Sequence, residues 1–205
     1  QPQQEEIPRV LGLHRSRNVM FKLSGLFAMD AFAGGLLVQS FLAYWFHIRF
    51  GIDSGVLGSI FFGANILAGI SALLAVRIAN KFGLINTMVF THIPSSIFLM
   101  LVPLMPTLSL AIVLLLLRFS ISQMDVPTRQ SYTMAVVAPD ERSAAAGVTA
   151  IARSVGSAVS PALTGLLFSI PALFNLPFFL CGGLKIIYDL LLYREFRTVK
   201  PPEDI

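Results

Sequence analysis

The sequence predicts an all-α, polytopic membrane protein of six transmembrane helices with both ends on the cytoplasmic side. Three observations predict it. Of 205 residues, 55% are hydrophobic and 13% charged, against about a quarter charged in an ordinary globular domain, and the mean hydropathy is +0.75. The apolar residues fall in long runs: residues 54–76 carry no charge, and residues 82–117 lack Asp, Glu, Lys and Arg. Finally, the basic residues gather on one side of the crossings.

The first span is expected at 22–47 and the second at 54–76. The run 82–117 is too long for one crossing of a hydrocarbon core ~30 Å thick, at about 1.5 Å per helical residue. It therefore divides at Pro103 and Pro106 into spans 84–104 and 107–134, because proline removes a backbone donor and turns the preceding residue out of the helical region. Spans 144–170 and 173–193 complete the set. All connections are short, so consecutive helices run antiparallel.

Orientation follows from the excess of Lys and Arg in cytoplasmic flanks. Arg9, Arg15, Arg17, Lys22, Arg77, Lys81, Arg142, Arg194, Arg197 and Lys200 fall on one side, and Arg49 alone on the other. Basic residues at helix ends explain the net charge of +4 without a nucleic-acid partner. Tyr44, Trp45 and Phe46 are expected at the outer interface, where amphipathic rings are favoured. The chain divides into a polar lead-in, 1–20, a six-helix bundle, 21–196, and a cytoplasmic tail, 197–205. The lead-in begins on Gln1 rather than Met and carries Pro2, Pro8 and Gly12, so it reads as a flexible cytoplasmic segment or a linker from an upstream unit. It has no apolar stretch after a basic start, as a cleavable signal would.

Ionisable groups inside a bilayer cost about 2.5–3.5 kcal/mol on insertion scales and face an interior or a water path. They are the first functional candidates. Asp30 and Gln39 lie in the first span, Asn65 in the second, and Arg118 near the middle of the fourth, where Ser122, Asp125 and Arg129 continue its face at steps of three and four. For Arg118 two readings stand, a charge facing a solute or proton path and a structural pair with a carboxylate. Asp125 with Arg129 or Arg153, and Lys185 with Asp189 at i,i+4, read as structural pairs near the cytoplasmic face. Asp30 has no opposite charge on its own helix; it is either a carboxyl that binds and releases protons or the partner of a cation elsewhere.

Small residues, Gly51, Gly55, Ser59 and Gly63 in the second span and Gly156, Ser160 and Thr164 in the fifth, are spaced for close helix approach. Cys181 and three scattered His make no metal-ligand cluster, so no metal or other cofactor is expected. A phosphate-cradling Gly-rich loop, an H-E-x-x-H pair and a Gly-x-Ser-x-Gly elbow are all absent, which leaves an ATP motor or a membrane enzyme without visible machinery.

Residues 125–165, DVPTRQSYTMAVVAPDERSAAAGVTAIARSVGSAVSPALTG, carry a resemblance. They resemble the fourth helix, cytoplasmic loop and glycine-rich fifth helix of the C-terminal half of a major facilitator superfamily transporter, with Pro139, Glu141, Arg142 and Gly147 in the loop pattern. AVRIANKFG, 75–83, is similar to a degenerate form of the family's loop between the second and third helices of a half. Asn80 stands where Asp is common, and Leu84 and Ile85 where basic residues are common. Gly147, Gly156, Pro161 and Gly165 fit the spacing of the family's fifth-helix antiporter motif, Ser160 and Thr164 replacing two glycines. The resemblance covers 21–196. It implies alternating access by two six-helix bundles, this chain supplying half of a site for a small organic solute, with proton-coupled efflux as one form. Under it Asp30, Gln39, Asn65, Arg118 and Ser122 would line the substrate or proton path. Arg77, Lys81, Asp125, Arg129, Arg142, Arg153, Lys185 and Asp189 would serve as gating or structural pairs. The implied partners are the bilayer of the cell membrane, the solute and a missing N-terminal half. The alternative is a six-helix channel or a self-assembling half-transporter.

Overall fold

The computed structural model describes residues 11–198, and within them the chain is helical with short connections. Six crossings are built from eight helices, α1 (Arg17–Gly35), α2 (Gln39–Phe50), α3 (Ser54–Phe82), α4 (Leu84–Leu101), α5 (Leu108–Ser122), α6 (Asp125–Ala135), α7 (Arg142–Phe168) and α8 (Leu176–Phe196). The first crossing joins α1 to α2 and the fourth joins α5 to α6. These are the six spans expected from the sequence, each long and apolar enough to cross a membrane.

Two of the crossings expected to be continuous are broken. Between α1 and α2 the break follows Gly34 and Gly35, residues that weaken a helix by their backbone freedom, and Val38 is extended. The Leu36 carbonyl freed there accepts a hydrogen bond from Thr164 Oγ1 on α7. The break between α5 and α6 falls at Gln123 and Met124. Its cause is Pro127, whose ring excludes a helical carbonyl four residues earlier, at Gln123, and which has no N–H to offer it. Pro161 poses the same problem inside α7, where Ser160 Oγ donates instead to the Ser157 carbonyl, 3.3 Å away.

Gly51 (φ +67°) ends α2 and Gly83 (φ +86°) separates α3 from α4, both in left-handed backbone that favours glycine. Between α4 and α5, Pro103 sits in a short 3-10 turn, Val102–Leu104, and Thr107 caps α5 by accepting the Leu110 N–H at 3.5 Å.

The start of α1, the end of α8 and the α6–α7 connection meet at one end of the bundle. Lys22 pairs with Glu195 at 3.0 Å, and Tyr132 Oη donates to the Phe196 carbonyl at 3.3 Å. Glu141 accepts backbone N–H groups of His14, Arg15 and Ser16, the last two at 2.7 and 2.9 Å. The lead-in, expected to be flexible, is thus docked where it is described: Leu13 is buried, and Ser16 Oγ accepts the Ala138 N–H at 3.1 Å. Residues 1–10, and 199–205 of the tail, lie outside the described residues.

At the opposite end Trp45 and Phe46 pack with Phe178 and Phe50 instead of facing the interface as expected. Trp45 Nε1 reaches Asn175 Oδ1 at 2.9 Å, so its polar atom is satisfied inside the protein. Tyr44 alone of the three is exposed.

Two apolar cores result. One, at the end that holds the lead-in, contains Met20, Leu23, Phe27, Met88, Tyr188 and Leu192; the other contains Leu36, Trp45, Phe61, Leu99, Leu115 and Phe178. On α1, α4 and α8 the residues between these cores are Asp30, His92 and Lys185. A polar layer divides the bundle at that level.

Candidate functional site

Asp30, one turn and a half before the end of α1, is 3% exposed and takes three cations. Lys185 Nζ lies 2.8 Å from Oδ1, while Arg129 Nη1 and Arg153 Nη1 lie 3.0 and 3.1 Å from Oδ2. The carboxylate therefore ties α1 to α6, α7 and α8. Arg129 also holds Asp125 at 2.8 Å one turn earlier on α6. Its guanidinium stands 5.6 Å from the centre of the Phe27 ring, a favourable face for a cation.

Behind this cluster Asp189 meets His92 Nδ1, 3.0 Å from each carboxylate oxygen. A carboxylate facing Nδ1 fixes the ring proton there. That leaves Nε2 free to accept from Lys185 Nζ at 3.3 Å. The chain Asp125, Arg129, Asp30, Lys185, His92, Asp189 is continuous, and Arg153 branches from Asp30. Every charge in it has a partner, as burial in an apolar bundle requires.

The geometry settles several alternatives left by the sequence. Asp30 is paired, by cations from three other helices. Asp125 pairs with Arg129, whereas Arg153 goes to Asp30. Lys185 and Asp189, expected to pair with each other, each take a different partner. Arg118 and Ser122 do not continue the face of Asp125 and Arg129, because the turn at Gln123 and Met124 intervenes. Arg118 lies outside the cluster, its Nε buried without a hydrogen bond and its guanidinium 5.3 Å from the Phe119 ring centre. Asn65 Nδ2 donates to the Phe61 carbonyl at 2.7 Å and approaches Gln39 Oε1 at 3.4 Å, joining α3 to α2 near the break. Arg77 and Lys81 are exposed at the end of α3, and Arg142 Nε donates to the Met134 carbonyl at 3.2 Å. His92 was not a candidate from sequence, since a lone His in an apolar run shows nothing of what faces it.

The expected small-residue seams divide. A Cβ on Gly156 would stand 2.2 Å from the Ala28 carbonyl oxygen, and one on Gly35 would meet Ser160, so α1 and α7 touch backbone to backbone. Gly147 and Gly165 of the same helix, and Gly51, Gly55 and Gly63 near or on α3, have nothing within 4 Å.

A cavity of about 860 Å³ opens beside the charge cluster. Asp30, Arg129, Arg153 and Lys185 all reach its wall, and Phe27, Ala31, Val38, Met134 and Ala150 make much of the rest. Its lining along α7 runs from Ala146 to Ser157, about 17 Å of helix. A large, partly apolar cleft with converging polar groups is the usual form of a small-molecule site.

Six antiparallel crossings enclosing a charged layer, with a cleft beside it, define a polytopic membrane-protein bundle. The chain matches the Major Facilitator Superfamily over residues 20–204 and belongs to that family, one of transporters rather than enzymes. It is 30% identical over 183 residues to a Saccharomyces cerevisiae protein, Uncharacterized membrane protein YJR124C. The alignment covers 89% of this chain and 41% of that relative, so the chain spans less than half the relative's length. No solved structure matches it.

Proposed function

We propose that this chain is the C-terminal half of a secondary active transporter that moves a small organic solute by alternating access, in the cell membrane and in the outward direction. The observation that carries the reading is the cleft itself. It reaches the charged layer at mid-bundle and is walled by α1, α6 and α7; a second six-helix bundle would close it. Membership of the family supports transport in general. The breaks between α1 and α2 and between α5 and α6 support the mechanism, because discontinuous helices supply binding groups and hinges in such carriers.

Proton coupling is the finer part of the reading. The groups suited to it are His92 and Asp189, joined through Lys185 to Asp30, rather than Asp30 alone, which three cations hold.

The test is counterflow. The longest natural protein that contains this chain would be reconstituted in liposomes, and flux of labelled amphipathic acids, amides and amines measured with and without unlabelled solute on the far side. A carrier accelerates in the presence of trans solute. A channel, the alternative reading, does not. The isolated chain is expected to give no flux as a monomer, and a His92→Gln variant to keep exchange while losing its response to an imposed pH gradient.

A further inference from the structure

We propose that the cleft takes an amphipathic organic anion, its acidic head on Arg153 and Lys185 and its apolar body along Phe27, Val38 and Met134. The inference deepens the transport reading and rests on it for the site's purpose. Its direct support is the bookkeeping of donors and acceptors on the wall. Arg129, Arg153 and Lys185 face Asp30, Asp125 and Asp189, with His92 between two of them, so the network as a whole balances. The balance is not uniform in space. Of the three carboxylates only Asp30 reaches the cleft, and both its oxygens already accept cations. The three cations all reach the cleft.

Arg153 is the group with most left over. A guanidinium has five N–H donors in a planar fork, and the structure gives Arg153 one bond, from Nη1 to Asp30. Its side chain is 36% exposed, against 9% for Arg129 and 11% for Lys185. The rest of the fork is therefore unspent on a part-exposed side chain, held at one prong, Nη1, by Asp30. Lys185 has three donors and spends two, on Asp30 and His92. Spare charged donors without a spare carboxylate select for a ligand that brings an anionic acceptor. A cationic solute would have to compete with three resident cations for Asp30, and a neutral one would leave charged donors poorly matched. Thr133, Thr149 and Ser157 on the same wall give their hydroxyl protons to backbone carbonyls of their own helices, so the charged donors are what an acidic head would meet.

The experiment uses three ligands with one body and three charges: 4-phenylbutyrate, 4-phenylbutyramide and 4-phenylbutylamine. Binding to the detergent-purified full-length protein is measured by titration calorimetry. The acid is expected to bind about tenfold tighter than the amide, the scale of one charge-assisted contact. The Arg153→Gln variant should bring acid and amide within about twofold of each other, the acid losing more affinity than the amide. Where Arg153→Gln does not fold, Arg153→Lys replaces it; a point charge in place of a fork should weaken the acid severalfold and the amide less. An amine or amide that binds as tightly as the acid, no binding of the acid, or an acid preference that survives in the Arg153 variants overturns the inference. Counterflow separates the two readings. An Arg153-dependent preference for the acid with no counterflow of any ligand would remove the transport reading and leave the anion site. Counterflow of the amide or amine in preference would do the reverse.

Discussion

The α1–α7 seam and the α3 helix carry the same sequence signature and meet opposite surroundings. Both bear small residues at near-turn spacing, Gly156, Ser160 and Thr164 on α7 and Gly55, Ser59 and Gly63 on α3. On α7 the stripe is consumed: Gly156 lies against the Ala28 carbonyl, Ser160 against Gly35, and Thr164 holds the Leu36 carbonyl. On α3 the glycines meet nothing within 4 Å. Small residues permit close approach without compelling it. What makes the α1–α7 contact is the set of bonds that surround it, the Arg153–Asp30 pair in the middle, Thr164 beyond it and Glu141 at the end that holds the lead-in. The α7 face turned away, with Ile151, Val155, Val159 and Leu166, is as exposed as that of α3.

The largest effect on that difference is expected at Asp30. In Asp30→Leu, Arg129 and Lys185 would remain buried and Arg153 half-buried without their shared carboxylate, and stability should fall by about 3–5 kcal/mol, the scale of an orphaned buried charge. Loss of cooperative melting or of folded protein in detergent would report it. A variant melting as the parent does would mean that the charged layer does not hold α1 to α6, α7 and α8.

Gly156→Ala comes next. Its methyl would enter the space of a backbone oxygen, which cannot swing aside as a side chain can, so α1 and α7 must part. Overpacking of this kind costs about 1–3 kcal/mol. The same substitution at Gly147, on the same helix with nothing near it, is the internal control and should leave the melting temperature unchanged or slightly raised. Equal effects at the two positions would refute the close approach.

How much of this was legible before the structure depends on what a sequence carries. Crossing number, proline breaks and the placement of basic residues are one-dimensional facts, written in run lengths and in the side on which Lys and Arg fall. Partners across helices are not. Lys185 and Asp189 are four apart and on one face, yet α8 is rotated so that one looks to Asp30 on α1 and the other to His92 on α4. That rotation is fixed by packing of Phe178, Cys181, Tyr188 and Leu192 against two cores, which no single helix encodes. The break after Ser122 could have been read from Pro127. The break after Gly35 needed Thr164, 128 residues away, to show where its carbonyl goes.

At the end of the seam nearest the lead-in, Glu141→Gln should detach that segment. The carboxylate accepts three successive N–H groups, and an amide offers one carbonyl oxygen in place of two carboxylate oxygens and no charge. A loss of about 1–2 kcal/mol is expected, local to the clasp. Hydrogen exchange is the measurement, since faster exchange of the His14, Arg15 and Ser16 amides with unchanged exchange in α8 distinguishes local release from unfolding. Protection that persists in all three amides would mean that Ser16, through its bond from Ala138, is enough to hold the segment.

The smallest effect separates the two stripes most cleanly. Gly63→Ala on α3 places a methyl where nothing stands within 4 Å, and in a helix interior alanine is favoured over glycine by about 0.5–1 kcal/mol. In this chain the change should therefore be neutral or slightly stabilising, opposite in sign to Gly156→Ala. In the full-length protein the outcome is diagnostic. If stability there also holds, α3 presents this face to lipid, which accommodates a methyl. If stability or flux falls instead, the glycine face of α3 meets protein in the complete carrier, and the stripe on α3 would prove to be a seam whose other side lies outside this chain.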